Sequence, residues 1–170
     1  FLIKASLLPS FSCLSFPENF NRARVNSVDL FGDLIGQRIT AIHQYKNERC
    51  FAIQFSNSFA LLFKLHGNRS NVLLFKEGTM QGIFKNSIKG DFGTTLNDLD
   101  RAMDWSLETF VRAKNNLEKL YFTFGQVVWK YLAELGFFNH TLEQQWKQIQ
   151  EVLQLLEKPT YYIAEINHRV

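Results

Sequence analysis

The chain has 170 residues, 46% of them hydrophobic and 15% aromatic, with 17 Phe, three Pro and nine Gly. That composition supports a packed core and excludes both disorder and long structureless linkers. The net charge of +3 is unevenly spread: residues 1–90 hold 11 Lys and Arg against 5 Asp and Glu, and residues 91–170 hold 8 against 11. A basic front half suits a polyanion-facing surface on one side, with ordinary scatter of surface charge as the plain alternative.

Cys13 and Cys50 are too few for a disulfide framework, and no Cys-x-x-Cys spacing offers a zinc site. Two buried thiols in a reducing, cytoplasmic setting are expected. No apolar run approaches the roughly 20 residues of a membrane span. Residues 1–16 are apolar, but a lone Lys4, no initiator Met and a central Pro9 read better as two strands around a Pro turn than as a signal peptide. A chain opening on Phe-Leu-Ile-Lys-Ala-Ser is expected to start inside a domain, after an upstream segment.

In chain order, residues 1–5 and 11–16 read as short strands. Residues 21–35 read as a helix carrying Val25, Val28, Leu30, Phe31, Leu34 and Ile35, stopped by Gly36. The period then becomes two. Strands are expected over 38–45, 49–55, 59–65 and 72–75, with a shorter one at 80–84 and polar turns between them, which predicts an antiparallel meander. At 87–93 the composition shifts to Gly, Asp and Lys, and a domain boundary is placed there, giving a β-rich domain over 1–88 and a helical one over 94–170.

In the second part Thr95 with Asp98 resembles a helix cap. Leu96, Leu99, Met103, Leu107, Phe110, Val111, Leu117 and Leu120 make a long apolar stripe, and Glu108 with Arg112 has the favourable i, i+4 order. Thr123-x-x-Gln126 and Thr141-x-x-Gln144 both spell capping boxes. The last helix is expected to end before Pro159, with a strand or extended exit over 160–166. The fold class expected is α+β: an antiparallel meander or sandwich with one helix, followed by three or four helices.

Catalytic signals are poor. His43, His66, His140 and His168 show no metal spacing, and neither GxSxG nor a Gly-rich phosphate loop occurs, so no enzyme activity, metal or cofactor is expected. The turns are more informative. Gln44, Lys46, Asn47 and Arg49 crowd one turn, while His66, Asn68, Arg69 and Asn71 crowd another. Alternate turns of a meander lie at the same end of the sheet, so these two are expected to share a rim. Arg offers a planar fork to phosphate or a guanine edge, amides read base edges, and Tyr45 is a candidate stacking platform. Ordinary polar hairpin tips are the alternative.

At these turns the chain resembles the amino-terminal domain of the NFACT family of ribosome quality-control proteins, once described in bacteria as fibronectin-binding proteins. The family has a strand ending in Gln, a short turn and an Asp-Arg pair opening the next strand; here Gln44 is followed by Tyr45-Lys46-Asn47 and Glu48-Arg49. The family's Gly-x-x-Ser-Asn turn is similar to Gly67-Asn68-Arg69-Ser70-Asn71, flanked by Leu61-Leu62-Phe63 and Val72-Leu73-Leu74. Pro9-Ser10-Phe11 is similar to the family's small-Pro-Ser-aromatic turn. In place of the family's Leu-Arg-Lys stretch stands Leu30-Phe31-Gly32, and Phe124-Gly125 is what corresponds to its interhelical Gly.

The resemblance implies an RNA-binding module. Its partners would be the large ribosomal subunit with a stalled peptidyl-tRNA and a recruited tRNA, and it would support template-free carboxy-terminal tailing with neither membrane nor small-molecule substrate. The implied tRNA contacts are Glu48 and Arg49, with Gln44, Lys46, His66, Arg69 and Asn71 as their neighbours. The alternatives are an adhesion or general interaction domain, and a relative of formamidopyrimidine glycosylases, whose amino-terminal Pro and zinc finger are not seen here.

Overall fold

A hairpin of β1 (Lys4–Leu8) and β2 (Phe11–Ser15) precedes a five-stranded antiparallel meander: β3 (Ile39–Gln44), β4 (Cys50–Phe55), β5 (Phe59–Lys64), β6 (Asn71–Lys76) and β7 (Thr79–Ile83), paired in sequence order. The computed structural model describes residues 2–9, 11–19, 21, 25 and 27–161. The helices are α1 (Leu107–Arg112), α2 (Leu117–Leu120), α3 (Gly125–Glu134) and α4 (Leu142–Glu157). The protein is α+β, and the chain divides into two compact units, Phe1–Ala102 and Met103–Val170.

Both faces of the meander are covered, so β5 and β6 are apolar almost throughout rather than alternating. One face buries Cys50, Ala52, Ala60, Leu62, Leu73 and Phe75 against Met80, Ile83, Leu96 and Leu99. The other buries Ile53, Phe63 and Val72 against Ile3, Ala5, Leu7 and Leu14 of the hairpin region, with Phe51 stacked on Phe63 at 5.0 Å. Each fully buried Leu or Phe contributes roughly 1.5–3 kcal/mol.

The helix expected over 21–35 is not formed by its described residues, which hold only a 3-10 turn at Gly32–Leu34. Phe31 stands in the left-handed region at φ 59°, which no right-handed helix accommodates. Its ring packs among the apolar residues of the second face, so close to Gly82 that a Cβ there would lie 3.2 Å from it. Val25, Val28 and Ile35 are exposed, so no helical stripe is buried.

The boundary also lies later than composition placed it. Residues 94–102 belong with the sheet because Leu96 and Leu99 complete its core. Thr95 does bond the Asp98 carboxylate, but no helix follows, and the long stripe from Leu96 to Leu120 resolves into the short α1 and α2. Tertiary contacts therefore outweigh local helix preference there.

In the second unit Ser106 caps α1 by accepting from Thr109 N at 3.2 Å, and Glu108 meets Arg112 at 3.3 Å. Trp105 stacks on Tyr121 at 4.9 Å, and Tyr121 on Phe124 at 5.3 Å, over a core that includes Phe110, Leu132, Phe137 and Ile149. Burial, then the nearby Asp104 carboxylate, pushes the Tyr121 hydroxyl up to about 12.

The capping box at Thr141 forms, with Gln144 N donating to Thr141 Oγ1 at 3.4 Å and Thr141 N donating to Gln144 Oε1 at 3.0 Å. The one spelled at Thr123 does not: Thr123 Oγ1 donates to Met103 Sδ at 3.7 Å, and Gly125, at φ 62°, sets a different entry into α3. Glu157 ends α4 two residues before Pro159, and the exit segment expected over 160–166 lies mostly outside the described residues.

A buried polar cluster ties the meander to the segment after β7. Lys64 and Asn71, cross-strand partners flanking the 65–70 turn, both contact Asp91, by an ion pair from Lys64 Nζ and by Asn71 Nδ2 donating at 2.7 Å. Asn71 also accepts from Val72 N at 2.9 Å and Lys85 N at 2.8 Å and donates to Lys85 O at 3.1 Å, so its amide is fully engaged. Removing one partner of such a pair strands a buried charge. Asp91→Ala is expected to cost about 3–5 kcal/mol in urea unfolding, and the Lys64→Met/Asp91→Leu double variant to recover most of that. A single-variant loss below about 0.5 kcal/mol would mean the cluster is not stabilising.

Candidate nucleic-acid interface

Two turns at one end of the meander form the candidate site. The first runs from Tyr45 to Arg49, closed by Tyr45 N to Cys50 O at 3.2 Å and Glu48 N to Tyr45 O at 3.4 Å. Asn47 sits at φ 56°, a region Asn tolerates better than most residues. The second turn is a 3-10 turn at Gly67–Arg69, with Gly67 at φ 60° and Ser70 N donating to Gly67 O at 3.0 Å. The two meet: Leu65 N donates to Arg49 O at 2.8 Å, and His66 Nε2 lies 3.1 Å from Glu48 Oε2.

A third segment completes the rim. Lys46 N donates to Asp100 Oδ1 at 2.6 Å, Asn47 Nδ2 to Arg101 O at 2.6 Å, and Arg101 N to Lys46 O at 3.0 Å. Arg101 Nε then pairs with Glu48 Oε1. The Glu48 carboxylate, only 10% exposed, therefore stands between Arg101 and His66.

The expected residues divide sharply. Gln44, Lys46, Arg49 and Arg69 are exposed, and His66 and Glu48 are half-buried between them. Asn71 is fully buried and held by Asp91 and Lys85, so it lies beneath the rim and not on it. Tyr45 is also interior, edge-on to His43 at 4.7 Å, which removes it as an exposed stacking platform. Burial, with Cys50 and Asp100 adding to it, pushes its hydroxyl up to about 12.

The carboxylate expected to steady Arg49 steadies Arg101 instead. Arg101 was not a sequence candidate, since nothing local marks it; only the docking of 100–101 against the first turn brings it here. Lys85 was missed likewise, its peptide group fixed at this end by Asn71. Of the thiols, Cys50 is buried as expected and raised to about 11 by burial and then by Glu48, whereas Cys13 is only half-buried. Among the described residues no three His, Cys, Asp or Glu side chains converge as metal ligands, and no helix is long and apolar enough to cross a membrane.

Fold and rim together define an α+β protein whose main sheet carries Lys46, Arg49, Arg69 and Arg101 together with Glu48 and Asp100 at one end. No family model matches the sequence, and no curated protein and no solved structure matches the chain.

Burial holds His66 below the usual imidazole range; Lys64 and Arg49 push the same way, and Glu48 pushes against them. A folded value below the unfolded one means that, as pH falls through about 6.5, the unfolded chain takes up a proton the folded chain resists. Stability is thus expected to fall as pH drops through and below about 6.5, with His66→Gln flattening the slope in chemical denaturation. An unchanged slope in that variant would assign the acid sensitivity elsewhere.

Proposed function

We propose that the chain is the RNA-binding part of a cytoplasmic ribosome quality-control factor of the NFACT kind. In this reading it binds large ribosomal subunits that carry a stalled peptidyl-tRNA, recruits tRNA and supports template-free carboxy-terminal tailing. Peptide transfer belongs to the ribosome, and the chain contributes binding and positioning.

The observation that carries this reading is the meeting of two turns distant in sequence, with Leu65 N donating to Arg49 O at 2.8 Å and His66 Nε2 3.1 Å from Glu48 Oε2, at one end of the sheet that bears Lys46, Arg49 and Arg69. Three exposed cations on a common edge suit a phosphate backbone, and amides such as Gln44 suit base edges. Of the two carboxylates on this rim, Glu48 is paired with Arg101 and Asp100 accepts from Lys46 N, which lessens their repulsion of phosphate.

Binding through such a rim is electrostatic in large part. Each phosphate contact releases counterions and adds about 0.7–0.9 to the slope of log affinity against log salt. In filter binding of tRNA between about 50 and 200 mM salt, Arg49→Ala and Arg69→Ala are each expected to weaken binding and lower that slope by about one. Lys76→Ala, at the end of β6 next to the 77–78 turn and over the Phe59 ring, is expected to leave both unchanged. Equal affinity and slope for all four proteins would contradict the proposal.

A further inference from the structure

Arg49 and Arg101 are not equivalent. Arg49 is exposed, and no carboxylate pairs with it among the described residues. Arg101 is fixed twice. Its peptide group docks on the first turn, through Arg101 N to Lys46 O at 3.0 Å and Asn47 Nδ2 to Arg101 O at 2.6 Å. Its guanidinium is gripped through Nε by Glu48, whose other oxygen lies 3.1 Å from His66 Nε2. Even so, 59% of the Arg101 side chain is exposed.

An arginine whose Nε is taken by a largely buried carboxylate has its fork oriented before any ligand arrives. Less rotamer freedom is then lost on binding, and more of the contact energy survives. We propose that Arg101 is the preorganised RNA-contacting arginine of this rim, with Glu48 as its positioning residue. The partner class is RNA, met through a phosphate or a guanine edge, the two groups that match a planar fork. This inference rests on the RNA-binding reading above.

Glu48 allows a test by sign. If it were only a negative charge at the rim, neutralising it would tighten RNA binding. If it orients Arg101, neutralising it weakens binding although the repulsion is gone. The whole 170-residue chain is titrated with tRNA across salt, alongside thermal melts of each variant. Arg101→Ala keeps the peptide hydrogen bonds to the first turn. It is expected to lose about five- to tenfold in affinity and about one in salt slope, at a melting temperature that still leaves the protein folded.

Arg101→Lys is expected to keep the slope without recovering the affinity, since a point charge does not replace a fork. Glu48→Gln is expected to bind more weakly than wild type at the wild-type slope. Tighter binding by Glu48→Gln, or a wild-type slope in Arg101→Ala while Arg49→Ala loses its contact, would overturn the role of Arg101 alone. Wild-type protein without salt-sensitive tRNA binding would overturn the RNA-binding reading itself.

Discussion

The candidate site depends on one carboxylate. Glu48 contacts Arg101 with one oxygen and His66 with the other, and so holds three segments that are remote in the chain. Meander topology alone brings the turns at 45–49 and 66–70 to the same end of the sheet. It does not fix their side chains, and it places nothing from 100–101 beside them. A carboxylate so little exposed gains more from the Arg101 guanidinium than one in water, because the local dielectric is lower. The cost falls on His66, whose protonation burial opposes, so the tie is sensitive to acid on one side and not on the other.

Beneath the rim lies a polar foundation of different character. Lys64, Asn71 and Asp91 are buried together, with Asp91 taking both of the others, and Lys64 and Asn71 flank the turn that carries Arg69. Such a cluster adds less net stability than an apolar core would, but it leaves few alternative arrangements for the turn above it. Polar residues near this edge thus fall into two sets. One is consumed by the fold, and the other, Gln44, Lys46, Arg49 and Arg69, faces outward on a support that holds its geometry.

How much of this was legible depended on whether the deciding contacts were local. The strands were, because period two and polar turns record their faces directly, and so was the start of α4, where Thr141 and Gln144 cap each other within one turn. The segment 21–35 had a helical spacing of apolar residues, but the left-handed backbone of Phe31 interrupts it, and what that ring packs against lies far along the chain. Residues 96–102 failed for the same reason, since Leu96 and Leu99 serve the sheet. At the site, the shared end of two turns followed from topology. The inward placement of Tyr45 and Asn71 did not, nor did the arrival of Arg101, since side-chain direction at a turn is set by partners that a local pattern does not record. The Gly67 to Asn71 stretch, the most distinctive in the sequence, is built for folding at its end: Ser70 and Asn71 are buried, and Gly67 has the positive φ the turn needs.

The central claim is that the segments 45–49, 66–70 and 100–101 act as one surface toward RNA. Amide chemical-shift mapping during a titration with tRNA tests it most directly, because the turns at 56–58 and 77–78, at the other end of the same sheet, serve as an internal control. All three segments are expected to shift together, with one common dissociation constant, while the control turns stay still. Shifts confined to one segment, or concentrated at 56–58 and 77–78, would contradict it.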